Sequence, residues 1–287
     1  MSNVFQRLIS SAALIVVVLS ALFVLPLWVF AMVVIGFVAM ALFEFFTMVR
    51  HRGILVHRPL NVGLGVVFMA LVAWRSLVKP GYMAAPVLGS NATMFDWAWD
   101  IFWPATIVII FLRQFTRQNT FEALSGLATT LFGLAYIGGL LSYLFYLRAF
   151  KGEDGAWLIL FLILVTKMGD VGAFAIGRLM GRNTLMARIS PRKTIEGFIG
   201  GALVSAATAS MANALVGRFH HSPLLGFSVG LFLGLCGQLG DLAESLVKRD
   251  CQVKDSSQWL PGLGGVLDVL DSLLFTAPLF YGILIYG

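Results

Sequence analysis

Residues 8–48 read LISSAALIVVVLSALFVLPLWVFAMVVIGFVAMALFEFFTM, with Pro26 as the one break and Glu44 as the one charge. On either side of the proline lies an apolar run close to the roughly 20 residues that a helix needs to cross a bilayer. The runs are continuous, not alternating, so the strands of a transmembrane β-barrel are excluded. Working outward, similar runs recur along the chain. They predict spans near 8–25, 27–48, 60–78, 100–113, 122–147, 156–178, 197–217, 223–247 and 266–286, nine in all. Residues 8–25 have the look of a secretory signal, but the next span follows at once, which favours an uncleaved first helix. The fold class is all-α: a polytopic transmembrane helix bundle.

Composition agrees. Of 287 residues, 59% are apolar and 12% charged, against roughly 25% charged in soluble domains. The formal net charge of +6 does not call for nucleic acid, because basic residues gather in cytoplasmic loops for topological reasons. With the N-terminus inside, the inner segments hold Arg7, Arg50, Arg52, Arg58, Arg113, Arg117, Arg178, Arg182, Arg188, Arg192, Lys193, Lys248, Arg249 and Lys254. The outer ones hold Arg75, Lys79, Arg148, Lys151 and Arg218, and Lys167 alone falls within a span. That bias places the N-terminus in the cytoplasm. Trp97, Trp99 and Trp103 suit an interfacial aromatic belt. Cys236 and Cys251 lack a CxxC spacing, and His51, His57, His220 and His221 fall between spans, so neither a disulfide framework nor zinc is expected.

The two halves differ. Residues 1–155 are N-terminal transmembrane helices with Glu44 as their one buried acid, and residues 156–287 are C-terminal catalytic helices with cytoplasmic loops. Intramembrane charge is expensive, about 2.5–3.5 kcal/mol on insertion scales, so it marks function. Asp170 lies eight residues before Arg178 and Asp241 seven before Lys248, while Asp268 and Asp271 open the last helix. Three helices thus carry carboxylates at one depth, in the cytoplasmic half. Asp241, Glu244, Ser245 and Lys248 follow i, i+3, i+4, i+7 and share one helix face, as do Asp268, Asp271 and Ser272. Gly230, Gly234 and Gly237, and likewise Gly197, Gly200 and Gly201, allow close helix approach. Carboxylates without histidine or cysteine suit Mg²⁺, a hard ion usually shared with substrate phosphates. Structural pairing with Lys167, Lys248 or Arg249 is the plainer alternative, and Glu44 reads as a packed or helix-end carboxylate. In RISPRKTIEG, residues 188–197, Ser190 is the expected N-cap and Pro191 the first helical residue. Arg192, Lys193 and Thr194 would then form a phosphate cradle at a helix N-terminus.

The stretch SLVKRDCQVKDSSQWLPGLGGVLDVLD, Ser245 to Asp271, resembles the signature of phosphatidate cytidylyltransferases (CDP-diacylglycerol synthases). That signature runs S-x-apolar-K-R, four residues, K-D, a P-x-H-G-G turn and D-R-x-D. The likeness extends to Gly240–Asp241 and to the block at 170–197, covering roughly residues 160–287. Leu263 stands where the family usually has His, Val269 where it has Arg, and Phe174 where Tyr is commoner. The resemblance implies CTP and phosphatidic acid of the inner leaflet as substrates, giving CDP-diacylglycerol and pyrophosphate. It implies that Asp241 and Asp268 hold Mg²⁺ (with K⁺ a candidate second cation), supported by Asp271 and Asp255. It gives Arg192, Lys193, Lys248, Arg249 and Lys254 the phosphates, with Ser190 and Thr194 in the same loop and Asp170 and Lys167 at the back of the pocket. It places the chain in the cell's inner (plasma) membrane; the oligomeric state, a homodimer included, is left open. The rival readings are a CTP-dependent lipid or isoprenoid-alcohol kinase, a secondary transporter, and a non-catalytic membrane paralogue. The motif of a CDP-alcohol phosphotransferase is absent.

Overall fold

A computed structural model of the chain describes residues 3–78, 94–116, 122–150, 154–216 and 222–286. His220 and His221, and the side chains of Trp97 and Trp99, lie outside what is described. Eight helices among the described residues are long and apolar enough to span a membrane, and the protein is a multi-pass membrane protein. The fourth expected span coincides with a helix that is not one of the eight. It has Asp96 and Asp100 in its first two turns and Pro104 inside it.

The chain divides into two compact units, Met1–Ala149 with Asp255–Leu267, and Phe150–Lys254 with Asp268–Gly287. In the first, α1 (Asn3–Phe23), α2 (Leu27–His51) and α3 (Arg58–Ala73) precede α4 (Met94–Phe115), α5 (Ala123–Gly133) and α6 (Tyr143–Arg148). Two π-helical turns, Trp74–Val78 after α3 and Leu134–Gly139 after α5, let long apolar segments bend without a break in the backbone ladder. The core is aromatic and aliphatic, with Phe45, Phe46, Met69, Ile137 and Phe145 fully buried. His57 caps α3, its Nδ1 accepting from Leu60 N at 3.3 Å. Trp103 packs on Phe68 and Phe102. The loop before the last helix closes as a tight turn. Leu260 N donates to Gly264 O at 2.9 Å, Gly264 N to Leu260 O at 3.1 Å and Leu263 N to Leu260 O at 3.0 Å. Gly262 and Gly264 supply the positive φ values this turn needs, 80° and 96°. The backbone makes it, and the Leu263 side chain takes no part in those bonds.

The second unit contains α7 (Asp154–Met180), strands β1 (Thr184–Met186) and β2 (Ser190–Thr194), α8 (Ile195–Val216), α9 (Pro223–Asp250) and most of α10 (Val266–Tyr286). Small residues bring its helices together. A β-carbon on Gly201 would lie 2.8 Å from Gly169 O, and one on Gly230 would lie 2.6 Å from Ser205 O. Apolar surface gives helices little reason to associate inside a bilayer, so this backbone-level approach supplies the packing.

The hairpin corrects the expected helix start at Ser190. Residues 184 and 194, and 186 and 190, pair in antiparallel register, which takes Ser190 and Pro191 into strand. A two-stranded hairpin tolerates the proline because both strands are edges. The true N-cap of α8 is Thr194, whose Oγ1 accepts from Gly197 N at 3.1 Å. Glu196, in the first turn, ties the hairpin's base by accepting from Arg182 N at 3.1 Å and Asn183 Nδ2 at 2.9 Å.

Candidate active site

Within the second unit, α7, α9, α10 and β2 converge their charged side chains. On α9, the i, i+3, i+4, i+7 face presents Asp241, Glu244, Ser245 and Lys248, as the helical period requires. Glu244 is fully buried, and Lys248 and Asp271 nearly so. Lys248 Nζ makes an ion pair with Glu244 one turn back and donates to Asp268 Oδ1 at 2.6 Å. Lys193, from β2, sits 2.6 Å from Asp241 Oδ2. Lys167 donates to Ser272 Oγ at 2.8 Å and Asp170 Oδ2 at 3.2 Å, with Asp271 Oδ1 at 3.8 Å. Ser272 Oγ in turn donates to Asp170 Oδ2 at 3.3 Å. Gly240 makes the crossing of α9 and α10 possible: a β-carbon there would lie 2.6 Å from Asp271 O.

Asp241, Glu244 and Asp271 each offer an oxygen within 4.8 Å of the others. An all-oxygen, all-carboxylate set of this size fits a hard divalent cation such as Mg²⁺. Five carboxylates (Asp170, Asp241, Glu244, Asp268, Asp271) face three lysines (Lys167, Lys193, Lys248). Of the two aspartates expected as metal ligands, Asp241 is in this oxygen cluster, whereas Asp268 is engaged by Lys248.

Beside the cluster opens a cavity of about 460 Å³. Its polar lining is Asp170, Arg178, Arg192, Lys193, Thr194, Gln238 and Asp241, and its apolar lining includes Ala173, Phe174, Leu185, Phe198 and Leu242. Gln238 is fixed there by its Nε2, which donates to Phe198 O at 2.9 Å. Hence Arg192, Lys193, Thr194, Asp170 and Asp241 come together at one cavity.

Other expected residues are placed differently. Arg249 is exposed, its Nε donating to Ile189 O and its Nη1 to Val253 O, both at 3.1 Å, so it braces the hairpin and the following loop. Ser190 is half-buried in β2, and Lys254 and Asp255 are exposed on the loop after α9. Arg178 was legible only as a topological charge, yet it lines the cavity. Glu244, for which the sequence leaves pairing with a lysine open, both pairs with Lys248 and is the third member of the oxygen cluster. The periodicity that put it one turn from Asp241 was the signal for the second role.

A polytopic membrane bundle that sets clustered carboxylates beside a basic, amphipathic cavity defines an intramembrane enzyme acting on phosphates. The chain belongs to the cytidylyltransferase family, whose pattern it matches over residues 5–286, and it is a nucleotidyltransferase. It is 32% identical over 305 residues to a phosphatidate cytidylyltransferase of Synechocystis, covering 96% of this chain and 94% of the relative. Phosphatidate cytidylyltransferases of Staphylococcus saprophyticus and Staphylococcus haemolyticus are 38% and 40% identical over 193 residues, 66% of this chain and 72% of each relative.

Proposed function

We infer that the protein transfers the cytidylyl group of CTP to phosphatidic acid, releasing pyrophosphate and leaving CDP-diacylglycerol in the membrane. The observation that carries this reading is a carboxylate cluster whose Asp241 lines a cavity walled by Arg178, Arg192 and Lys193 together with apolar side chains. A phosphate oxygen of the lipid attacks the α-phosphorus of CTP, and the bond from that phosphorus to the oxygen bridging to the β-phosphate breaks. The lipid phosphate is itself the nucleophile, so the protein's contribution is positioning and charge neutralisation. Arg178, Arg192 and Lys193 are suited to hold phosphates at the cavity. Lys248 holds Asp268 in place, and Lys167 does the same for Asp170 and Asp271. Asp241, with Glu244 and Asp271, would hold Mg²⁺, and Asp268, paired with Lys248, would be a further candidate ligand. The ion, when bound, neutralises phosphate charge and aligns the reacting groups. K⁺ as a second cation belongs to the same proposal.

The positive-inside bias supports a cytoplasmic N-terminus in the cell's inner membrane, which would bring the cluster to the leaflet where CTP and the lipid phosphate meet. A homodimer is compatible with this reading. Leu263 and Val269 depart from the family's usual His and Arg, but the turn around Leu263 is made by backbone bonds, which supports retained activity.

The test is purified protein with α-labelled CTP, phosphatidic acid and Mg²⁺. Labelled CDP-diacylglycerol with one pyrophosphate per turnover is expected. Release of CDP with a newly phosphorylated lipid would replace this reading with the kinase, and no product across lipids and cations would replace it with the non-catalytic paralogue.

A further inference from the structure

Glu44 is the one charge in the first two spans, it is 1% exposed, and the reaction proposed above makes no use of it. Its carboxylate is saturated. Oε1 accepts from Ser257 Oγ at 2.6 Å and Val266 N at 2.9 Å, and Oε2 accepts from Ser256 Oγ at 2.9 Å and Leu267 N at 2.8 Å. All five residues belong to one compact unit.

Val266 and Leu267 are the first two residues of α10, and their N–H groups are among the four that a helix leaves without partners at its start. A helix ordinarily caps itself with a Ser, Thr, Asp or Asn just before its first turn. Here that place is Gly265, which has no side chain. A β-carbon on it would collide with Ser256 Oγ and come within 2.5 Å of Glu44 Oε2. Glu44 and Gly265 thus answer each other: the cap comes from α2, and the glycine leaves room for it. The anionic carboxylate also lies at the end of the helix whose dipole favours negative charge. The same carboxylate gathers both ends of the loop 256–267, fixing where α10 begins.

The next residue along α10 is Asp268, still in the first turn, and Asp271 follows one turn later. We propose that Glu44 is a positioning residue for the reaction, capping α10 so that its first turn holds Asp268 and Asp271 in the orientation catalysis needs. This rests on the cytidylyl-transfer reading for its kinetic consequence, and on geometry alone for the cap. Each carboxylate oxygen takes one hydroxyl and one backbone N–H, so Glu44→Gln would set an NH₂ group against one of the two N–H donors. Fraying of the first turn should follow, and a misplacement of about 1 Å can cost 10²-fold in rate.

The experiment uses the full chain in lipid nanodiscs. Backbone hydrogen exchange and the kinetics of CDP-diacylglycerol formation are measured for wild type, Glu44→Gln and Gly265→Ala. Glu44→Gln is expected to speed exchange at residues 266–271 while α2, α7 and α9 keep their protection. It is expected to lower kcat about 10- to 100-fold with KM for CTP within about threefold, the mark of an orientation lost rather than a binding contact. Gly265→Ala, which pushes on the same carboxylate, is expected to give the same pattern and serves where the first variant does not accumulate. Wild-type kcat in either variant, or exchange that rises alike in all helices, overturns the proposal. A wild type that makes no product counts against the reaction, while the exchange of residues 266–271 still decides the cap.

Discussion

Helices α2 and α9 are of similar length, 25 and 28 residues, and each buries a glutamate almost completely, Glu44 at 1% and Glu244 at 0% exposure. Their surroundings could hardly differ more. The most apolar stretch of α2 has a mean hydropathy of 2.5 and that of α9 only 1.5. Glu44 is answered by neutral, fixed donors, two hydroxyls and two backbone N–H groups. Glu244 is answered by a lysine and by two more carboxylates whose oxygens lie within 4.8 Å. A carboxylate whose lone pairs are used up by fixed neutral donors has finished its work as structure. One crowded against other carboxylates needs a cation or a proton to offset the repulsion, and so is suited to cations that come and go with substrate. How a buried acid is satisfied, more than its burial, separates architecture from chemistry.

The largest expected effect tests the α9 side of that contrast. Asp241→Asn and Asp268→Asn should each lower CDP-diacylglycerol formation by two to three orders of magnitude, the scale of removing a main electrostatic contact to the transition state. Both should still insert and purify, since the amide keeps the side chain's size and relieves like-charge crowding. Near-wild-type rates for both variants in detergent would sink the metal assignment and make the cluster a structural network.

Much of the membrane fold was legible because hydropathy is a local property: the runs at 8–48 and their like declare helices whatever they pack against. The carboxylate faces were legible for the same reason, since i, i+3 and i+4 spacings fix a side within one helix. What could not be read is who meets whom. Glu44 looked like a solitary packed acid because its partners lie 212 to 223 residues away. The RISPRKTIEG loop looked like a helix start because Ser-Pro is a strong local signal, yet pairing with residues 184–186 decided it. Arg249 has the charge for phosphate binding, and two of its five N–H donors are held by backbone carbonyls of the hairpin and loop, which no local signal shows.

A smaller effect follows from the crossing that brings α9 and α10 together. Gly240→Ala sets a β-carbon 2.6 Å from the backbone oxygen of Asp271, whereas Gly237→Ala meets only side-chain atoms, the nearest at 3.5 Å. Backbone does not yield as a flexible side chain does, so Gly240→Ala should shift Asp271 and cost about 10- to 100-fold in kcat. Gly237→Ala should stay within about threefold of wild type, as an ordinary packing contact allows. Equal rates for the two variants would mean that the carboxylates tolerate a displaced α10.

The smallest effect asks whether the criterion drawn from α2 and α9 works for an uncharged group. Thr194 lines the cavity beside Lys193, which argues for substrate contact, but its oxygen accepts from Gly197 N and caps α8, which argues for structure. By the rule that a committed acceptor is architecture, Thr194→Ala should act mainly on stability. Loss of a cap costs about 0.5–2 kcal/mol, and each kcal/mol lowers a melting temperature by about 2–4 °C in chains of comparable size. KM for CTP should then move by no more than about threefold, because the substrate loses no partner. Thr194→Ser, which keeps the oxygen and drops the methyl, should restore most of the melting temperature. The opposite pattern, a KM raised about tenfold at an unchanged melting temperature, would show that the hydroxyl serves the phosphates while it caps the helix. In that case a committed acceptor would not be enough to call a group architectural.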